Sequence, residues 1–141
     1  MNEKTSKIYK EYDPLNWNDR YDVLRAVESN GLLLVKASNH LKKDKDICLK
    51  AIEQFALALG YADESIKNDL ECAKLACSKD FWAYKYVGAS LLANPEIIEI
   101  VFPKYQAYFG LEIPVEKTDR ADILKNCFQL KEETTSQPEN G

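Results

Sequence analysis

A chain of 141 residues suits one domain, and 45% apolar against 30% charged residues with only five Gly and five Pro reads as compact, helix-leaning and globular. A formal net charge of −4 lacks the basic footprint of a nucleic-acid binder. No run of about eighteen apolar residues is present to span a bilayer.

The N-terminal stretch MNEKTSKIYKEYDP has no apolar core and no small-residue cleavage site, so no conventional signal peptide is expected. Residues 1–17 form a lead-in, with Leu15 and Trp17 expected to cover the first unit of a repeat array. From residue 18 the sequence repeats with a period of 25, without a gap: units 18–42, 43–67 and 68–92, and a truncated fourth unit over 93–102. Asp19, Asp44, Asp69 and Asn94 share one position. Val23, Cys48, Ala73 and Ile98 share a second, Ala26, Ala51, Ala76 and Val101 a third, and Val27, Ile52, Cys77 and Phe102 a fourth. In the second half of each unit Leu34, Leu59 and Tyr84 correspond, then Ala37, Ala62 and Val87, then Leu41, Ile66 and Leu91.

Each unit reads as two short helices. The Asp or Asn that opens a unit can accept bonds from the first free backbone N–H groups of a helix. Asn94-Pro95 adds proline at the first helical position, where its missing donor costs little. Asn30-Gly31 is expected to end the first helix, with the glycine in the left-handed conformation. A second helix would then carry Leu34, Ala37 and Leu41. A pair this short cannot bury its own apolar face, so the units should stack.

Beyond the array, residues 103–131 form a C-terminal cap. Pro103 is expected to break the fourth helix, leaving PKYQAYFGLEIP irregular, and Thr118 to cap a last helix whose stripe is Ala121, Leu124, Cys127 and Phe128. Residues 132–141 read as a disordered tail. The expected fold is all-α: a short α-helical repeat array of 25-residue helix-pair units with a C-terminal capping helix.

The sequence offers no catalytic, cofactor or metal constellation. Its single histidine, His40, falls in an inter-unit turn and reads as a solvated residue. Cys48, Cys72 and Cys77 align with Val or Ile in sister units and read as small core hydrophobes, and none of the four cysteines has the CxxC spacing of a zinc site. Reduced thiols in a cytosol-like compartment are expected. Asp19, Asp44 and Asp69 are better explained as helix caps than as acid or base groups.

Units VLRAVESNGLLLVKASNHLKKD and CLKAIEQFALALGYADESIKND resemble the repeats of a domain of unknown function, DUF family 4116. The family pattern is an acidic cap, an apolar pair, a fixed alanine, Asn-Gly, Trp or Leu, Ala-Leu, and a Tyr-Ala-Ser run before Leu. The first unit keeps Ala26, Asn30, Gly31, Leu34, Ala37, Ser38 and Leu41. The second keeps Ala51, Ala58, Leu59, Tyr61, Ala62 and Ile66, with Phe55-Ala56 in place of Asn-Gly. The third keeps Ala76, Trp82, Ala83, Tyr86, Ser90 and Leu91, with Asp80-Phe81 there. The resemblance covers residues 18–102 and implies an α-helical repeat. It also implies the company of effector-type proteins of intracellular bacteria, protists and large viruses, and so a cytoplasmic location or delivery to a host cytosol by a non-Sec route.

The stretch DFWAYKYVGASLL, 80–92, concentrates the remaining interest. Tyr84 replaces a core Leu, and Trp82 and Tyr86 match the resembled pattern, so all three read as structural. Phe81 and Lys85 do not, and Phe81 stands where the first unit has glycine. The leading expectation is a non-enzymatic module that binds another protein, a bacterial effector or a host protein, as a regulator or inhibitor. Its expected surface joins Phe81 and Lys85 to the turn residues His40, Glu64 and Ser90 and to the aromatic Tyr105, Tyr108 and Phe109. The competing expectations are a self-associating module that forms a homodimer through the fourth unit, and an enzyme of undescribed type. No cofactor, nucleic acid or membrane partner is expected.

Overall fold

The computed structural model describes residues 16–110 and 117–128. Residues 1–15 of the lead-in, Leu15 among them, the 111–116 and 129–131 parts of the cap and the 132–141 tail lie outside the described residues. The described elements are all helical: α1 (Arg20–Ser29), α2 (Lys45–Gln54), α3 (Glu64–Lys67), α4 (Leu70–Lys79), α5 (Pro95–Phe109) and α6 (Lys117–Cys127). Between them lie 3-10 segments at Gly31–Lys36, Leu41–Lys43, Ala56–Tyr61, Phe81–Tyr86 and Ala89–Leu91.

The 25-residue period recurs in the hydrogen bonds. The Asp19, Asp44, Asp69 and Asn94 side chains each accept from backbone N–H groups two or three residues on, capping α1, α2, α4 and α5. Between neighbouring units the Ser38, Asp63 and Gly88 N–H groups donate to the Trp17, Lys42 and Lys67 carbonyls. Helices α1, α2, α4 and α5 pack in sequence as one layer, and the 3-10 segments of the first three units pack in sequence as a second. Between the layers lie Val23, Val27, Leu34, Ile47, Ile52, Leu59, Ile97 and Val101, all fully buried. Burial of apolar area there is the main stabilising term. Ile47, Cys72 and Ile97 share one buried position, where the first unit has the partly exposed Asp22.

Four expectations about the elements are corrected. In each of the first three units the second helix is a six-residue 3-10 segment, followed by a separate short element: a 3-10 turn at Leu41–Lys43 and at Ala89–Leu91, and α3 between them. Gly31 is not left-handed, and among the described glycines only Gly110, after α5, has positive φ. The chain turns instead at Asn30, Phe55 and Asp80, whose φ of −153°, −155° and −155° is extended backbone open to any residue. That is why Phe and Asp replace Asn without loss of the turn. Gly31 is needed for close approach, because a Cβ there would lie 2.2 Å from the Ala51 carbonyl oxygen.

Pro103 does not end the fourth helix, and α5 runs through it to Phe109. An internal proline costs about 3 kcal/mol and leaves the carbonyl four residues earlier without its donor. Here Pro103 and Glu99 are both exposed, so water can serve that carbonyl, while Ile97, Ile98, Val101, Phe102 and Tyr105 bury the opposite face on both sides of the proline. Thr118 lies inside α6 and not before it. On that helix Leu124 is fully buried, with Ala121, Ile123 and the following Phe128 packed against the core.

Candidate functional site

The aromatic residues expected at the surface converge at the C-terminal end of the array. Asp80 caps the third 3-10 segment, its carboxylate accepting from the Trp82 N–H at 3.0 Å, which fixes Phe81 and Trp82 at the first turn. The unbroken α5 brings Tyr105, Tyr108 and Phe109 to the same end, and Phe128 arrives from the last turn after α6.

These rings grade from core to surface. Tyr84 and Phe102 are fully buried, and the Tyr84 hydroxyl donates to the Leu92 carbonyl at 2.7 Å. Phe128 meets Tyr84 edge-on with centroids 5.2 Å apart, and lies 5.3 Å from Trp82. Phe81 is half-buried and stacks on Trp82 at 5.1 Å. Outermost are Trp82, Tyr108 and Phe109, at 38%, 62% and 50% exposure. Trp82 meets Tyr108 at 88° and 5.8 Å and Phe109 at 75° and 6.4 Å, while Tyr108 and Phe109 are 4.9 Å apart. Edge-to-face pairs of this kind contribute about 0.5–1.5 kcal/mol each beyond area burial. The rings touch one another. What they offer outward is a firm apolar surface.

That surface extends along the 3-10 layer. Residues three apart in a 3-10 helix eclipse, so Leu32 sits beside Val35 and Trp82 beside Lys85. Leu32 and Val35 are exposed, as are Phe55 and Tyr61 of the second unit. Lys85 lies over the Tyr86 ring at 5.3 Å.

The other expected site residues fall elsewhere. Tyr105 is the correction: it is 6% exposed, and its hydroxyl meets the Cys127 sulfur, so the ring belongs to the core. That contact, with burial, pushes its pKa up to about 12. His40 is exposed in the turn before Leu41–Lys43, its Nδ1 3.2 Å from Ser38 Oγ. Glu64 is exposed at the start of α3, against Asn68 and Lys67. Ser90 hydrogen-bonds Asn68, so Glu64 and Ser90 share that neighbour along the inter-unit turns. Trp82 and Phe128 are the members that sequence reasoning did not assign to the surface cluster. The usable signal was the shared register of Leu32, Leu57 and Trp82 on the outer side of the 3-10 layer.

The remaining polar groups have structural partners. Burial pushes the Cys48, Cys72 and Cys77 thiols up to about 12, which leaves them protonated and unreactive at neutral pH. Burial works to raise the Asp44 and Asp69 pKa values, but hydrogen bonds from Arg20 and the Ile47 N–H, and from the Cys72 N–H and Lys45, hold both below the usual carboxylate range. Among the described residues no three His, Cys, Asp or Glu side chains cluster as a metal site would, and no helix is long and apolar enough to cross a membrane. An open groove of about 430 Å³ between α1 and α2 is lined by Arg20, Leu24, Asp46, Leu49, Lys50 and Glu53, with Arg20 and Asp46 paired to each other.

The model of a domain of unknown function, DUF4116, matches this chain twice, over residues 19–67 and 44–92. The chain belongs to the DUF4116 family. Each match starts at a helix-capping aspartate and spans two units, and the second match is displaced from the first by one 25-residue repeat. The DUF4116 region thus ends just after the Phe81–Tyr86 segment, while Tyr108, Phe109 and Phe128 come from the more C-terminal part of the chain. Comparison with curated proteins and with solved structures yields no match.

Proposed function

We propose that this chain is a non-enzymatic protein-binding module whose docking surface is the aromatic C-terminal end of the array, centred on Trp82, Tyr108 and Phe109. The carrying observation is that three large rings, mutually in contact and backed by a buried aromatic base, stand 38–62% exposed. Exposed aromatic clusters on a rigid support are the usual anchors of protein interfaces. A preformed surface of helices loses little ordering entropy on binding, which suits occlusion or positioning of a partner. The family resemblance extends this to an effector-type regulator or inhibitor working in a cytosol. A catalytic role draws no comparable support, since the buried cysteines are held as thiols and the periodic aspartates are occupied as caps. Self-association through the fourth unit draws less support, because Ile97, Ile98, Val101 and Phe102 of α5 are buried within the chain.

The test is recovery of partners by the full chain against the Trp82→Ala/Tyr108→Ala double variant, at matched helicity. A partner held by the native chain and lost by the variant supports the reading. Equal recovery by both contradicts it.

A further inference from the structure

We infer that the occupant of this aromatic surface is an acidic segment of a partner protein that carries one or two apolar side chains; this rests on the docking reading above. The inference comes from how charge is distributed around the rings. Ion pairs along the array join Arg20 to Asp44 and Asp46, Lys45 to Asp69 and Glu71, Lys74 to Glu96, and Lys67 to Glu64, all at or near helix starts. None of them reaches the aromatic end.

At that end two lysines share, by their spacing, a helical side with exposed rings. Lys85 follows Trp82 by three residues in a 3-10 segment, and so shares its side. Lys104 precedes Tyr108 by four residues in α5, and so shares its face. The Lys104 ammonium donates to the Ser78 carbonyl at 2.7 Å, which holds it at the C-terminal end of α4, next to the exposed Lys79. An ammonium has three donors, so two remain for a ligand. Asp80, the acidic residue nearest in sequence, turns its carboxylate inward to cap the Trp82 N–H. The result is a strip of cation, ring, ring and cation on a chain whose formal net charge is −4. Carboxylates flanking an apolar anchor complement that strip: the anchor meets the rings and the acids meet the ammonium groups.

A nucleic acid fits less well. Base stacking needs separately presented ring faces and a continuous basic groove, whereas these rings are packed edge to face against one another.

The experiment is selection of a random dodecapeptide display library on the full chain, with the Trp82→Ala/Tyr108→Ala double variant as counter-selection. A synthetic copy of the most enriched sequence is then titrated. Enriched peptides should carry Asp or Glu on both sides of an apolar residue. Their affinity should fall as salt rises, and about two- to fivefold for each of Lys85→Gln and Lys104→Gln. Site-dependent peptides of neutral or basic sequence would overturn the acidic partner and leave the docking surface standing. Peptides that bind the double variant equally, or no enrichment over it, would overturn the docking surface as well. Tighter binding of a mixed-sequence single-stranded oligonucleotide through the same lysines would overturn the partner class. Concentration-dependent mass lost in the double variant would make a second copy of the chain the occupant.

Discussion

Arg20 Nε lies 2.6 Å from Asp44 Oδ2, joining the first residue of one helix to the capping residue of the next. The same link recurs one unit on, where Lys45 Nζ reaches Asp69 Oδ2 at 3.2 Å. At the third junction the corresponding residues are Leu70 and Asn94, so both charges are absent together, and Lys74 pairs with Glu96 instead, at 2.6 Å. Asp44 and Asp69 thus each serve twice, as a cap within a unit and as an anion between units.

This double use gives acid sensitivity of a definite sign. Both carboxylates have folded-state pKa values held below their unfolded ones. Their stabilisation is present above the unfolded value of about 4, and is lost as pH falls through the lower folded value. The urea midpoint should be flat near neutral pH and drop below about pH 4. Asp69→Asn should shrink that drop, since asparagine keeps the cap without the charge. An equal drop in the variant would remove Asp69 from the explanation.

Gly31→Ala should destabilise the chain by about 1–3 kcal/mol, because the added methyl meets the Ala51 carbonyl and the helices must part. A left-handed turn would predict a similar loss on its own. The discriminating variant is therefore Asn30→Ala, which loses only the hydrogen bond that the Asn30 side chain accepts from Leu32 N–H, and should cost about 1 kcal/mol. Urea unfolding of both variants checks the order, and a larger loss in Asn30→Ala would reverse it.

Tyr84→Phe removes the donor to the Leu92 carbonyl while leaving the buried ring against Phe128. The expected loss is about 1–2 kcal/mol, read from the unfolding midpoint, with helicity unchanged. No loss would mean that water replaces the hydroxyl, and that this end of the core is looser than its packing implies.

Alkylation at pH 8 should modify Cys127 first, because it is exposed while Cys48, Cys72 and Cys77 are buried and held as thiols. Mass spectrometry should find one adduct in the native chain and four in urea. Fast native modification of Cys48 or Cys72 would show that the inter-unit contacts open readily.

The caps and the core positions were legible because each repeats the same local chemistry. Asp19, Asp44 and Asp69 each precede an apolar stripe, and Val23, Cys48 and Ala73 each fill one buried place. The 3-10 form of Gly31–Lys36 was not, since six residues are too few for period 3.0 and period 3.6 to separate. Pro103 misled because the proline rule is local, whereas the burial of Ile97 through Tyr105 is a tertiary effect that outweighs one lost bond. At the candidate site, Phe81, Tyr108 and Phe109 stood out as aromatics outside the repeat pattern. Trp82 did not, because matching a pattern says nothing of which side of a 3-10 segment faces solvent. The meeting of Phe128 with Trp82 joins residues far apart in the chain, and no short-range signal carries it.

The most direct measurement of the docking claim is amide hydrogen exchange of the full chain, alone and with a captured partner. Added protection should appear over Phe81–Tyr86 and the last turn of α5, and the Trp82→Ala/Tyr108→Ala variant should show none. Protection confined to the α1 and α2 surface, with the aromatic end unchanged, would contradict it.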